Sequence, residues 1–283
     1  MVWKEQFSWK KFKFQYDNPE QIVLCQWQTD LGIPTAYLLF RMVFLAFFLG
    51  IWYAGIRMMY ISFGCGCLKV VTKGSILLYY TTWSEIFCSV AAASSCLMTT
   101  IQYILDEDGE EENGKRSVFE CRWWFRVHLV IYTLALDSSV ALAFGYFGYV
   151  YYNERRYYRG ISYVLHLWTG VMMLLDFMLS TLPTNLLHVY LAFGISAFYG
   201  FFSWVYYMLG GKDYLGEKYL YEVLNWEDDP WAAILAILGT LLFYIVVRLI
   251  VFCMYVLRGS IFYKHYYLAT EEALRKRTFV STS

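Results

Sequence analysis

The chain has 283 residues, of which 59% are hydrophobic and only 16% charged, and its mean hydropathy is +0.41. A soluble domain is nearer half apolar with about a quarter of its residues charged, and here the apolar residues come in blocks, so a single soluble core is excluded. The 23 basic and 23 acidic residues balance, which leaves no electrostatic basis for nucleic acid as a partner.

A block of about 20 apolar residues spans a hydrocarbon core of about 30 Å as a helix. Residues 1–34 precede the first such block. They are polar with interleaved aromatics, Trp3, Phe7, Trp9, Phe12 and Phe14 among Lys4, Lys10, Lys11 and Lys13. This pattern fits a cytoplasmic segment lying on an anionic leaflet. It lacks the layout of a cleaved signal peptide, so the first apolar block serves as an uncleaved signal anchor.

Pro34 opens that block, because proline is suited to a helix start, and the first span covers about 35–56. A loop with Gly64, Gly66 and the close pair Cys65 and Cys67 leads to a second span at about 75–104. The acidic run Asp106 to Glu112 reads as a solvated loop. The third span covers about 127–152 and the fourth about 160–182. A short turn through Pro183, Thr184 and Asn185 makes the fourth an antiparallel partner of the fifth, at about 187–209. Gly210 and Gly211 end the fifth, since glycine accepts the conformation that closes a helix. A loop at about 210–230 precedes the sixth span at about 231–257, and residues 258–283 form a cytoplasmic tail. The fold class is therefore all-α, a polytopic membrane bundle of about six transmembrane helices. Of the 23 Lys and Arg, 13 fall on the side of the termini and eight on the other, which places both termini in the cytoplasm. The location is multi-pass integral membrane, plasma membrane or endoplasmic reticulum, with membrane lipids as partners.

Orientation fixes depth. The second span enters from the outer side near Ser75 and the fourth near Gly160. Thr81 and His166 each lie about six residues in, roughly 9 Å along a helix. A hydroxyl and an imidazole at one level on two helices meet a condition for a nucleophile and its general base. Glu85 shares a helical face with Thr81, and Tyr80 adjoins it; both are candidate binding groups. Arg41, Asp137, Asp176 and Arg248 lie inside spans. A charge at a helix centre costs about 2.5–3.5 kcal/mol on insertion scales, so pairing is expected: Arg41 with Asp176, with Arg248 and Asp137 nearby, as structural charges. His128 and His188 are expected at the interface and His265 in the tail. No metal triad, phosphate loop or cofactor motif is present, and the Cys spacing does not match a zinc module.

Several segments resemble the rolling stone family of multipass membrane proteins. The family's leucine-tyrosine-arginine opening appears as Leu39, Phe40 and Arg41. Its tyrosine-phenylalanine-threonine-x-tryptophan motif appears as Tyr79 through Trp83. Its His, Asp, Pro and His fall on His166, Asp176, Pro183 and His188. The loop of two glycines, an aspartate and a third glycine is Gly210, Gly211, Asp213 and Gly216. The closing motif runs from Tyr221 to Trp226, with Glu222 in place of its proline and Asn225 in place of its aspartate. The likeness implies a link to myoblast fusion. A more distant likeness runs to the androgen-induced membrane hydrolases of fatty acid esters of hydroxy fatty acids. It implies a catalytic Thr at Thr81, with Thr82 as the competing alignment, and a catalytic His at His166.

Two functions follow as expectations. One is an intramembrane Thr/His hydrolase acting on a lipid ester. The other is a non-catalytic protein of cell–cell fusion or adhesion, with partner proteins at the outer 210–230 loop. A transporter is third; it needs a polar path through both leaflets, and Glu85 is the one mid-depth acid besides Asp137.

Overall fold

The computed structural model describes residues 9–14, 23–28, 32–64, 75–107, 122–145, 164–213 and 216–280. After a single helical turn, α1 (Trp9–Phe12), come α2 (Thr35–Gly64), α3 (Tyr80–Glu107), α4 (Arg122–Gly145), α5 (Thr169–Leu179), α6 (Val189–Met208) and α7 (Pro230–Val280). Among the described residues, five stretches are long and apolar enough to cross a membrane: Thr35–Gly55, Tyr80–Leu105, Trp123–Gly145, Leu186–Met208 and Pro230–Phe262. The chain is a polytopic helical membrane protein. Cys65, Cys67 and residues 108–112 of the acidic run lie outside the described residues, as does the stretch 146–163.

Local chemistry sets the helix ends. The carbonyl of Pro34 accepts from the Tyr37 and Leu38 amides at the start of α2. Asp229 Oδ1 accepts the Ala232 amide at 2.9 Å, so it caps α7 while Pro230 occupies the first turn, where no amide is required. After α6, Gly210 takes φ +76°, and the Gly210 and Gly211 amides return to the carbonyls of Tyr207 and Tyr206.

The bundle is apolar outside and polar within. Leu39, Val43, Leu97, Phe198, Phe201, Leu235, Leu242 and Val246 are exposed, whereas Arg41, Glu85, His128, Asp137, Asp176, Arg248 and Arg258 are buried. Water would select the reverse; acyl chains select this, because lipid cannot satisfy a polar group. The Arg41 guanidinium bonds Asp176, which also accepts from Tyr132 Oη at 2.8 Å. Arg248 bonds Asp137 at 2.9 Å. Gly170 lets α5 approach α4 closely: a Cβ there would stand 2.9 Å from the Ser139 carbonyl oxygen.

The fourth span departs from the helix expected through residue 182. It is a π-helical turn, Val164–Trp168, followed by α5, which has 11 residues and stops at Leu179. Ser180 is extended, with φ −88° and ψ 161°. Pro183 disfavours helix just before it, but the non-helical stretch is tolerated because protein satisfies it. Arg258 donates to the carbonyls of Phe177, Ser180 and Leu182 at 2.6–2.8 Å. Arg248 Nε donates to the Asn185 carbonyl at 3.1 Å. The Gln26 amide donates to the Leu179 carbonyl, and the Thr181 amide to that of Leu24. Arg258, assigned to the tail by its sequence position, is therefore an interior residue of α7.

Two histidines expected at the interface, His188 and His128, are buried in protein. Phe14 stacks on His188 with ring centroids 3.8 Å apart, and His188 Nε2 lies 2.8 Å from the Lys11 carbonyl oxygen. His188 is thus buried beneath the N-terminal arm. His128 is buried too, since small Ser94 on α3 leaves room for its ring and meets Nδ1 at 2.8 Å. The described parts of the arm, including buried Val23, Leu24 and Cys25, pack on the bundle. For His265 only the backbone is described, within α7.

Candidate functional site

Thr81 stands in the first turn of α3, and His166 at the middle of the π-helical turn that leads into α5. A π-turn widens a helix by one residue and recurs at functional sites. Thr81 Oγ1 and His166 Nε2 are 3.4 Å apart. One turn further along both helices, the Thr169 hydroxyl donates to Glu85 Oε1 at 2.8 Å. The two contacts form successive rungs between α3 and α5, since Glu85 follows Thr81 by four residues and Thr169 follows His166 by three, the spacings that share a helix face.

The site sits on a rigid base. Ser84 and Ser138 hydroxyls meet at 2.9 Å, and the Cys88 thiol reaches the Ala135 carbonyl at 3.7 Å. These bind α3 to α4 on the side opposite the lipid. Thr82, the competing candidate, is more buried than Thr81, and the hydroxyl facing His166 is that of Thr81. Tyr80 turns elsewhere: its hydroxyl meets that of Tyr244 on α7 at 2.6 Å. The candidate groups therefore divide. Thr81, His166 and Glu85 line the α3–α5 seam, Tyr80 lies between α3 and α7, and Arg41 with Asp176 and Arg248 with Asp137 pair elsewhere in the bundle.

A further residue enters from the loop between α6 and α7. Tyr221 Oη lies 3.5 Å from Thr81 Oγ1. Its ring is held edge-on by Tyr79 at 5.8 Å and by Tyr199 at 6.2 Å. Tyr199 is itself anchored by donation to the Leu78 carbonyl at 2.8 Å. Leu220 and Leu224 are buried beside it, and Trp226 Nε1 donates to Ser203 on α6 at 3.1 Å. The signal for Tyr221 was present in the closing motif of the sequence, but the fold-back that brings it to α3 spans 140 residues and no local pattern encodes it. Among the described residues, no group of three or more His, Cys, Asp and Glu could hold a metal ion.

Comparison with known proteins gives the family. The family profile described as Protein rolling stone matches residues 2–271. The chain belongs to the rolling stone family. It is similar to Protein rolling stone of Drosophila melanogaster, 26% identical over 255 residues that cover 87% of this chain and 86% of the relative. No solved structure matches it. Family membership and the apolar helices together make it a multi-pass integral membrane protein.

Proposed function

We propose that this rolling stone family member is an intramembrane hydrolase of lipid esters that uses Thr81 as nucleophile and His166 as general base. The observation that carries the reading is the approach of Thr81 Oγ1 to His166 Nε2, 3.4 Å, in the seam of an otherwise lipid-facing bundle. Catalytic hydrogen bonds are often this long without substrate and tighten when it binds. The base role requires the tautomer with its proton on Nδ1, leaving the Nε2 lone pair for the hydroxyl proton.

The reaction divides into two steps. Thr81 Oγ1 bonds to the ester carbonyl carbon while His166 Nε2 takes its proton. The tetrahedral adduct collapses, the carbon–oxygen bond to the alcohol breaks, and His166 returns the proton to the departing alkoxide. Water then attacks the acyl-threonine, His166 takes a proton from it, and collapse releases the fatty acid and the protonated Thr81. An apolar ester with a buried carbonyl, such as a fatty acid ester of a hydroxy fatty acid, suits a site reached sideways from a leaflet. With the termini in the cytoplasm, that leaflet is the outer one.

The test is turnover of such an ester by the full chain purified in detergent. Thr81→Ala and His166→Ala are each expected to abolish it with the thermal transition retained. Equal turnover in both variants would end the reading.

A second reading, a non-catalytic role in cell–cell fusion or adhesion, draws on the outer loop. That loop is a built surface rather than a loose connection: Asn225 Oδ1 accepts the Glu227 and Asp228 amides at 3.1 and 3.2 Å, and Lys218 pairs with Glu227. Its exposed Glu222, Glu227, Asp228 and Asp229 suit a basic protein partner. Under this reading both site variants rescue cells that lack the protein, and under the first neither does.

A further inference from the structure

We propose that Tyr221 is the oxyanion donor of this site, delivered to the membrane-embedded nucleophile by the extramembrane loop between α6 and α7. The inference rests on the hydrolase reading and adds the group that the threonine and histidine do not supply. When Thr81 Oγ1 bonds to a carbonyl carbon, the carbonyl π pair moves onto its oxygen, and that oxygen sits one bond angle away from Oγ1. A donor that already faces Oγ1 is then placed to face the new anion. Tyr221 Oη does so at 3.5 Å. His166 Nε2 takes the other approach to the same atom, at 3.4 Å.

Three features make Tyr221 a donor rather than a passing neighbour. Its ring is gripped by Tyr79 and Tyr199 in edge-on contacts, so the hydroxyl points without paying for reorientation during reaction. The neighbouring loop is pinned by buried Leu220 and Leu224 and by the Trp226 to Ser203 bond. The surroundings are largely aromatic, and a fixed dipole acts more strongly there than in bulk water. Tyr221 donates a hydrogen bond and keeps its proton; proton transfer belongs to His166.

The consequence is that the chemistry passes through the loop. Among the described residues, the rest of the Thr81 site comes from α3 and the approach to α5. Tyr221 comes from a segment outside the membrane, so any displacement of the loop removes the donor and leaves the nucleophile and base in place.

The test compares full-length wild type, Tyr221→Phe, Tyr199→Phe and Thr81→Ala on one fatty acid ester of a hydroxy fatty acid in detergent. Removing a single oxyanion donor lowers kcat by about 10²–10³, so Tyr221→Phe is expected to lose on that order with KM nearly unchanged. Tyr199→Phe, which loosens the cage but keeps the donor, is expected to lose less than tenfold. If Thr81→Ala is inactive while Tyr221→Phe turns over within about threefold of wild type, Tyr221 is not the donor and the hydrolase reading stands. If Tyr199→Phe loses as much as Tyr221→Phe, packing explains the effect and the assignment is overturned. If Thr81→Ala is as active as wild type, both fall. Should Tyr221→Phe fail to fold, 3-fluorotyrosine at 221 keeps the ring and strengthens the donor. An unchanged kcat with it would also overturn the assignment.

Discussion

Thr169 donates its hydroxyl to Glu85 Oε1 across 2.8 Å, directly below the Thr81 and His166 pair. Glu85 is 6% exposed, and its second oxygen, Oε2, is buried with no hydrogen-bond partner among the described residues. The upper rung is long and the lower one short, so the lower rung sets the distance between α3 and α5 at the site.

Thr169→Val keeps the shape of the side chain and deletes the donor. It leaves the Glu85 carboxyl without this bond in a place water does not reach, at a cost of about 1–3 kcal/mol. Glu85→Gln keeps an acceptor at Oε1 and is expected to cost less. Melting of the two variants in detergent checks the order. Both are expected to lower turnover as well, Thr169→Val more, because the upper rung loses its spacer. A Thr169→Val protein that melts and reacts like wild type would mean that the rung positions nothing.

The Arg41 and Asp176 pair is buried on both sides, with Tyr37 Oη 2.5 Å from the guanidinium and Tyr132 Oη 2.8 Å from the carboxylate. Deleting one partner strands the other, which costs about 3–5 kcal/mol. Asp176→Leu and Arg41→Met are therefore each expected to melt well below wild type or fail to accumulate. The double change Arg41→Met with Asp176→Leu removes both charges and fills the space, and it is expected to recover most of the loss. Stability measured across the four proteins gives the coupling, and two independent, additive losses would show that the pair does not act as a unit.

Gly170 and Gly194 provide a matched comparison. Both lie in membrane helices, but a Cβ on Gly170 would meet Ser139 O at 2.9 Å and Ala143 Cβ at 3.0 Å, while nothing lies within 4 Å of one on Gly194. The Ser139 oxygen is backbone and cannot swing away, so Gly170→Ala forces α4 and α5 apart. The expected loss is about 1–3 kcal/mol, the usual cost of overpacking. Gly194→Ala is expected to be neutral or stabilising by about 0.5–1 kcal/mol, because alanine loses less backbone entropy in a helix. Because Gly170 follows His166 by four residues, the alanine variant is also expected to lose turnover.

What could be read from the sequence was whatever depends on one coordinate, the depth along the membrane normal. Span lengths gave that depth, and depth set Thr81 level with His166. The expense of a lone charge in lipid called for partners for Arg41 and Arg248. What depends on chain reversal was out of reach. Tyr221 arrives from a loop whose path is fixed by Leu220, Leu224 and Trp226 docking on α6 and α7, contacts that no periodicity announces. The burial of His188 needs the arm to fold back over the turn, and its basic, aromatic sequence reads equally as a lipid-binding segment. The early stop of α5 at Leu179 needs Arg258, whose place just beyond the last apolar run made it look like a tail residue.

Arg258 supplies the clearest test of that last point. One guanidinium serves three carbonyls, those of Phe177 and Ser180 through one nitrogen and that of Leu182 through the other. Its guanidinium carbon lies over the rings of Phe177 and Tyr255, 4.5 and 5.1 Å from their centroids. Lysine offers a point charge on a flexible stem, without the fixed fork or the flat face. Arg258→Ala would strip the guanidinium from all three carbonyls; that of Ser180 keeps the Gln26 side-chain amide at 2.7 Å, while those of Phe177 and Leu182 lose their short donor, and an unsatisfied group there costs about 1–3 kcal/mol each. Its loss is therefore expected to exceed that of any single hydroxyl deletion described above. Arg258→Lys is expected to fall between Ala and wild type, closer to Ala. Hydrogen exchange localises the effect: amides at 179–181 should exchange faster in Arg258→Ala, whereas those of α3 near Ser84 should not. Uniform exchange across both regions would show that Arg258 supports the whole bundle rather than the broken stretch after α5.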